Sequence, residues 1–308
     1  MRQLENNLVV KCENITKQYG SQLALNNFNM NISKGDIYGF VGENGSGKTT
    51  IIRIITGLCK PTSGSYSLYG VDFKNKGIYD IRKKIGAIVE TPSIYPQMTL
   101  KDNMKMVGLI VGNNDIAEYK RIIELVGLID LFDSKKKVMN FSLGMKQRLG
   151  IALALLSNPE FIILDEPMNG LDPEGIVAVR NLIIDLNQKH GITFLISSHI
   201  LSELSLVATK YGIISHGVML KEITKEELTN SIKPAFLIDV DDNEKAYCLL
   251  ADKYDVEKTN KGIKIIGNIE LNEVLKIIQN AGLLIMGVNK QEGDIEKYYL
   301  SLIGARNV

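Results

Sequence analysis

The chain has 308 residues, of which 45% are hydrophobic and 23% charged, and its 36 basic and 35 acidic side chains leave a net charge of +1. This composition excludes wholesale disorder, supplies ample material for a buried core, and removes any global pull toward nucleic acid or anionic lipid. There is no apolar run near the ~20 residues that span a bilayer, no signal-peptide stretch in MRQLENNLVV, and no metal-like spacing among Cys12, Cys59 and Cys248, so a soluble cytoplasmic chain of about two domains is expected.

Taken in chain order, Leu8–Ile15 and Phe28–Ile32 read as strands. Ile37–Val41 is a compact apolar run followed at once by glycines. Thr49–Leu58 has helical spacing, and Lys60-Pro61-Thr62-Ser63-Gly64 stops it. Ile85–Val89 is a further strand. Thr99–Val111, Asp115–Val126 and Asn140–Ser157 are then predicted helices. Phe161–Leu164 is a buried strand ending on two acids. A helix over Pro173–Lys189 and a strand over Ile192–Ile196 follow. Strands alternating with helices imply a largely parallel sheet covered on both faces. Beyond Pro234 the pattern changes to strand Phe236–Val240, helix Glu244–Lys253, strand Gly262–Ile266, helix Leu271–Ala281, strand Leu283–Val288 and helix Asp294–Leu302. The expectation is an α/β domain over 1–232 and a small α+β domain over 233–308, its order suggesting a ferredoxin-like fold.

The strongest local signal is Gly42-Glu43-Asn44-Gly45-Ser46-Gly47-Lys48-Thr49, with Thr50 next to it. A glycine-rich loop between a strand and a helix lets backbone N–H groups wrap phosphates, and the helix start adds the positive end of its dipole. Lys48 is placed to neutralise β/γ-phosphate charge, and the Thr49 hydroxyl to coordinate Mg²⁺. Phe161-Ile162-Ile163-Leu164-Asp165-Glu166 delivers a second pair of groups at a strand's carboxyl edge, where open α/β sheets bind ligands. Asp165 suits a Mg²⁺ shell beside Thr49, and Glu166 the polarisation of an attacking water.

Between these motifs, Asn140-Phe141-Ser142-Leu143-Gly144-Met145-Lys146-Gln147-Arg148 resembles the signature motif of ABC transporter nucleotide-binding domains in a variant form. Ser142 and Gly144 keep the matching positions, while Leu143 and Met145 replace a Gly and a Gln. The resemblance runs over about residues 8–222. It implies a P-loop ATPase cassette with a RecA-like core, an antiparallel β subdomain and a helical subdomain. It further implies that Tyr19 stacks on adenine and that Ser142 and Gly144 contact ATP held by the other subunit. Asn169-Gly170-Leu171-Asp172 resembles the loop that crosses the dimer interface, and His199 the switch histidine at the γ-phosphate. His190 and His216 match nothing and read as ordinary surface or core residues.

The family usually carries Gln at the end of the strand after the first helical stretch, where it senses metal and attacking water. Here Glu90 stands in its place, in Ile88-Val89-Glu90-Thr91-Pro92-Ser93-Ile94-Tyr95-Pro96. With the variant signature motif, this resembles the bacitracin-resistance and lantibiotic-immunity branch. The resemblance implies an ATPase with ATP and Mg²⁺ as cofactors, a homodimer or pseudo-dimer of cassettes and a separate transmembrane permease, at the cytoplasmic face of the membrane and without nucleic acid. The expected function is export of an antimicrobial peptide or drug. An importer ATPase, or an ABC ATPase acting on ribosomes or DNA, stands as the alternative. The acidic cluster Asp239, Asp241, Asp242 and Glu244 reads first as a solvated turn opening a helix and second as a cation site.

Overall fold

The computed structural model describes residues 7–232, 234–291 and 295–304. The MRQLEN segment, Lys233 at the expected domain boundary and Asp294 at the expected start of the last helix lie outside the described residues. The chain divides into two compact units between Lys225 and Glu226.

In the first unit an antiparallel sheet is built from β1 (Leu8–Tyr19), β2 (Gln22–Ser33), β4 (Ser63–Leu68) and β5 (Val71–Asp72), in the order β2-β1-β4-β5. A second sheet has β3 (Ile37–Val41), β6 (Ile85–Ile88), β7 (Phe161–Asp165), β8 (Thr193–Ser198), β9 (Lys210–Ser215) and β10 (Val218–Thr224) in the order β10-β9-β3-β8-β7-β6. Its pairings are parallel except at β10, which returns antiparallel along β9. Strands β3, β7 and β8 are buried at every position. That is why they read as unbroken apolar runs rather than alternating ones.

Helix α1 (Lys48–Thr56) follows β3 and buries Ile51, Ile52, Ile54 and Ile55. The short α2 (Ile78–Arg82) precedes β6. A helical region comprises α3 (Leu100–Val111), α4 (Ile116–Leu125) and α5 (Leu143–Leu155). Their starts are set by side-chain caps: Thr99 accepts from Asp102 N, Asp115 from Ala117 N, and Ser142 from Met145 N. Helix α6 (Pro173–His190) opens on Asp172 as cap with Pro173 in its first turn, and its buried residues Val179, Leu182, Ile183 and Leu186 keep one face inward. Helix α7 (Leu201–Ser205) is short, and α8 (Lys225–Ser231) begins at the boundary between the two units.

The second unit orders β11 (Ala235–Val240), α9 (Asn243–Leu250), β12 (Asp255–Thr259), β13 (Gly262–Ile266), α10 (Leu271–Asn280), β14 (Ile285–Gln291) and α11 (Ile295–Gly304). Its antiparallel sheet runs β12-β13-β11-β14. This β-α-β-β-α-β connection is a split βαβ arrangement. Ile238, Val240, Ile263 and Ile265 from the sheet pack with Ala246, Leu250, Val274 and Ile278 from the helices. The acidic cluster serves structure: Asp242 caps α9, Asp241 accepts from Leu284 N at 3.0 Å, and Glu244 pairs with Lys258. Among the described residues no cluster of three His, Cys, Asp or Glu is suited to hold a metal ion.

The elements absent from the sequence reading are mostly polar or marginal. β4 is Ser-Gly-Ser-Tyr-Ser-Leu, and β12 is the charged edge strand Asp-Val-Glu-Lys-Thr, exposed at three of its five positions. β9 and β10 form a hairpin about Ser215-His216-Gly217-Val218. No helix among the described residues is long and apolar enough to cross a membrane.

Candidate functional site

The parallel sheet brings the glycine loop, Asp165, Glu166 and His199 to its carboxyl edge. Val41 lies opposite Ser198 and Asp165 opposite Ser197 in register. The loops after β3, β7 and β8 therefore meet at the start of α1, although they are far apart in the chain.

The loop 42–47 owes its shape to glycine. Gly45 and Gly47 have φ of +80° and +111°, the left-handed region that side-chain-bearing residues rarely adopt. Gly42 needs its bare Cα for another reason: a Cβ there would lie 2.5 Å from Ser46 Oγ and 2.6 Å from Ile214 O. Lys48 is 5% exposed, and its Nζ donates to Gly42 O at 2.6 Å and Glu43 O at 3.2 Å. The ammonium thus lies back across the loop it closes. Ser46 Oγ is buried and without a partner. Such a group is costly to leave unpaired, and a phosphate oxygen would satisfy it. A cavity of about 330 Å³ beside the loop is lined by Tyr19, Asn44, Gly45, Gly47, Lys48, Thr49, Thr50 and Glu166, together with Gln22 and Ala24.

The acids form a connected network with this loop. Thr49 Oγ1 donates to Asp165 Oδ2 at 2.9 Å, and Ser197 Oγ donates to Asp165 Oδ1 at 2.5 Å. Glu166 N donates to Ser197 Oγ at 2.9 Å. Glu166 itself has φ +50°, a turn that lifts its side chain out of the strand. Its Oε1 is 3.3 Å from Lys48 Nζ, and its Oε2 is 2.8 Å from His199 Nδ1. A carboxylate held between an imidazole and an ammonium, 22% exposed, is fixed yet open to solvent. Hard oxygens from Thr49 and Asp165 on one side of a phosphate-sized cradle suit Mg²⁺, which takes one or two protein ligands and the rest from phosphate and water.

Tyr19 ends β1 at the rim of the cavity and is 44% exposed. Its hydroxyl donates to Cys59 Sγ at 3.7 Å, and Lys17 Nζ lies 4.7 Å from its ring centroid. Burial, then the Cys59 hydrogen bond, push its phenol above the ordinary range. Ser142, Gly144 and Asp172 do not line this cavity and form a second group. Ser142 and Asp172 cap α5 and α6, and a Cβ on Gly144 would lie 3.5 Å from Gly175 Cα. The two helix starts are therefore packed together, with Leu143 half exposed beside Gly170. Glu90 lies apart from the cavity lining and pairs with Arg53 on α1. His190 ends α6, and His216 sits in the β9–β10 turn with φ +46°.

Sequence reasoning missed Ser197, which ties Asp165 to the backbone of Glu166, and the lining residues Gln22 and Ala24. The Ser197-Ser198 pair ahead of His199 was a signal for the first. The other two carry no motif, and only the β1–β2 hairpin brings them to the loop.

A glycine cradle, a buried lysine, a Thr–Asp pair and a carboxylate–imidazole pair on one sheet edge define a P-loop ATPase cassette. The family model described as ABC transporter matches residues 25–169. The bacitracin transport ATP-binding protein BcrA of Bacillus licheniformis is 40% identical over 97% of this chain and 99% of its own length. The lantibiotic transport ATP-binding protein SrtF of Streptococcus pyogenes is 44% identical over 70% of this chain and 90% of its own. A dimeric structure of the ATP-binding cassette MJ0796, bound to ADP and Pi, superposes with a TM-score of 0.62 at 27% identity, covering 70% of this chain and 98% of that one. The chain belongs to the ABC transporter ATP-binding proteins, ATPases whose hydrolysis of ATP is coupled to transport.

Proposed function

We propose that this chain is the ATP-hydrolysing subunit of an exporter that clears antimicrobial peptides of the bacitracin or lantibiotic type, acting as a homodimer on a separate permease at the cytoplasmic face of the membrane. The observation that carries the ATPase reading is the placement of Glu166, 2.8 Å from His199 Nδ1 and 3.3 Å from Lys48 Nζ at the mouth of the glycine loop. The cargo class is supported by the likeness to BcrA along almost the whole of both chains.

In this reading the triphosphate lies along residues 42–50. The N–H groups of Asn44 to Thr50 and the Ser46 hydroxyl donate to its oxygens, and Lys48 turns from the Gly42 and Glu43 carbonyls to the β/γ-phosphates. Tyr19 stacks on the base. Thr49 and Asp165 would hold Mg²⁺, which would neutralise charge building up on the phosphates. Glu166 accepts the proton of the attacking water as the water oxygen bonds to the γ-phosphorus and the bond to the β,γ-bridging oxygen breaks. His199 keeps that carboxylate in place and reaches the γ-phosphate, and Glu90, paired with Arg53, would act on Mg²⁺ only through water. Ser142, Gly144 and Asp172 of one copy face the nucleotide of the other. Residues 1–232 are the cassette, and residues 233–308 an accessory domain that supports the dimer or its regulation.

The test is resistance of cells that produce the chain together with its permease, scored against a panel of peptide antibiotics. Resistance to a bacitracin- or lantibiotic-type peptide, lost with Glu166→Gln, is expected. Unchanged resistance in that variant overturns the coupling of ATP hydrolysis to export. Uptake of a substrate delivered by a binding protein overturns export.

A further inference from the structure

Two acids end neighbouring strands of the sheet, and α1 carries a cation for each. Glu166 follows β7, and Glu90 lies two residues past the end of β6; Ile88 and Leu164 are the last residues paired between those two strands. Both acids have positive φ, +65° for Glu90 and +50° for Glu166. That conformation is uncommon for residues with a side chain, and such strain concentrates at functional turns. Around Glu90 the loop is tied by short backbone bonds, Thr91 N to Val89 O at 2.8 Å and Ile94 N to Pro92 O at 2.9 Å. Lys48 takes Glu166, and Arg53, farther along the same helix, takes Glu90.

The Arg53–Glu90 side chains are 44% and 57% exposed, and a pair that open adds little to stability. Its effect lies in where it places charge. Ile88 pairs with Leu164 and neighbouring strands are about 4.8 Å apart, so Glu90 and Glu166 leave the sheet from adjacent strand ends, and charges at adjacent ends are only partly screened at physiological salt, where the Debye length is about 8 Å. A free carboxylate there would add to the negative charge of two acids and a triphosphate. A glutamine needs no counter-ion at this position, whereas a glutamate does.

We propose that Arg53 is a positioning residue that holds the Glu90 carboxylate on the α1 side of the site and neutralises it, so that an acid can stand at this strand end without repelling the nucleotide's phosphates. This deepens the ATPase reading and rests on its assignment of the phosphate end.

The experiment is steady-state ATP hydrolysis by the full chain, titrated with MgATP, for Arg53→Gln, Arg53→Lys, Glu90→Gln and the Arg53→Gln/Glu90→Gln pair. Arg53→Gln is expected to raise KM about tenfold with a much smaller change in kcat, as a unit charge near the phosphates implies. The rise should shrink at ~1 M salt, where screening is nearly complete. Arg53→Lys should keep KM near that of the unchanged chain. In the Glu90→Gln background, Arg53→Gln should shift KM less than about twofold, because no charge is left to neutralise. Equal damage from Arg53→Gln in both backgrounds overturns the proposal, as does an unchanged KM in Arg53→Gln. If Arg53→Gln alone misfolds, the pair and Arg53→Lys still decide it. Retention of tight nucleotide binding by Lys48→Ala would overturn the underlying site assignment instead, a separable outcome.

Discussion

His199 Nδ1 lies 2.8 Å from Glu166 Oε2, so the loop after β8 grips the carboxylate that follows β7. The pair is 33 residues apart in the chain and exists because β7 and β8 are adjacent and in register. Glu166→Gln keeps the shape and removes the base. Turnover should fall by about 10²–10⁴-fold, the range for loss of general-base catalysis, with ATP still bound. Single-turnover hydrolysis and equilibrium nucleotide binding check both halves. His199→Ala should lower kcat by a smaller factor and add little on top of Glu166→Gln, since the two act as one unit.

Lys48 is buried, and its contacts are two loop carbonyls and Glu166. Lys48→Ala removes the cation facing the phosphates and leaves Glu166 without that partner. Nucleotide affinity should drop by at least about tenfold, as loss of a charge-assisted hydrogen bond implies. Titration calorimetry with a non-hydrolysable ATP analogue measures it.

Tyr19 stands half exposed at the cavity rim, where a planar base would cover its ring. Base–aromatic stacking is worth about 1–3 kcal/mol. Tyr19→Ala should therefore raise KM for ATP about tenfold or more with kcat nearly unchanged, while Tyr19→Phe and Tyr19→Trp keep most of the affinity. The KM ratio of the three variants is the readout.

Tyr38 gives the chain an alkaline limit. It is fully buried on β3, and its hydroxyl donates to Glu222 Oε1 at 2.6 Å. Burial, then the Glu222 charge, push its phenol well above the usual 10.0. A folded-state value raised above the unfolded one means that the native phenol keeps its proton where the unfolded chain has released it. Stability is thus fully present below pH 10 and is lost as pH rises toward the folded value. The slope is about 1.4 kcal/mol per pH unit for one proton. Tyr38→Phe should flatten stability against pH by one proton above pH 10, and cost about 1–3 kcal/mol near pH 7 because Glu222 loses a donor. Denaturant midpoints measured from pH 7 to 11 test this.

Much of the site was legible because its chemistry is local in sequence. Gly42 to Thr49 is one contiguous loop between a buried strand and a helix, and Phe161 to Glu166 is one apolar run with acids at its end. Ser142 and Asp172 sit where helix starts are read, at short polar residues before periodic apolar ones. Of the strands that went unread, β9 is a largely buried run of the parallel sheet, whereas β4, β5, β10 and β12 are polar or half exposed. Their pairing partners, and not their own residues, hold them extended.

By itself the sequence determined the P-loop, the buried parallel strands and the acids that end one of them, because each depends on residues next to one another. Only the tertiary structure decided that Ser197 bridges Asp165 and the Glu166 backbone, that His199 reaches Glu166, and that Arg53 meets Glu90. Those contacts follow from strand order and register, and from which face of α1 turns toward the sheet edge. Both are set by burial of the whole core, and no short window of residues contains them.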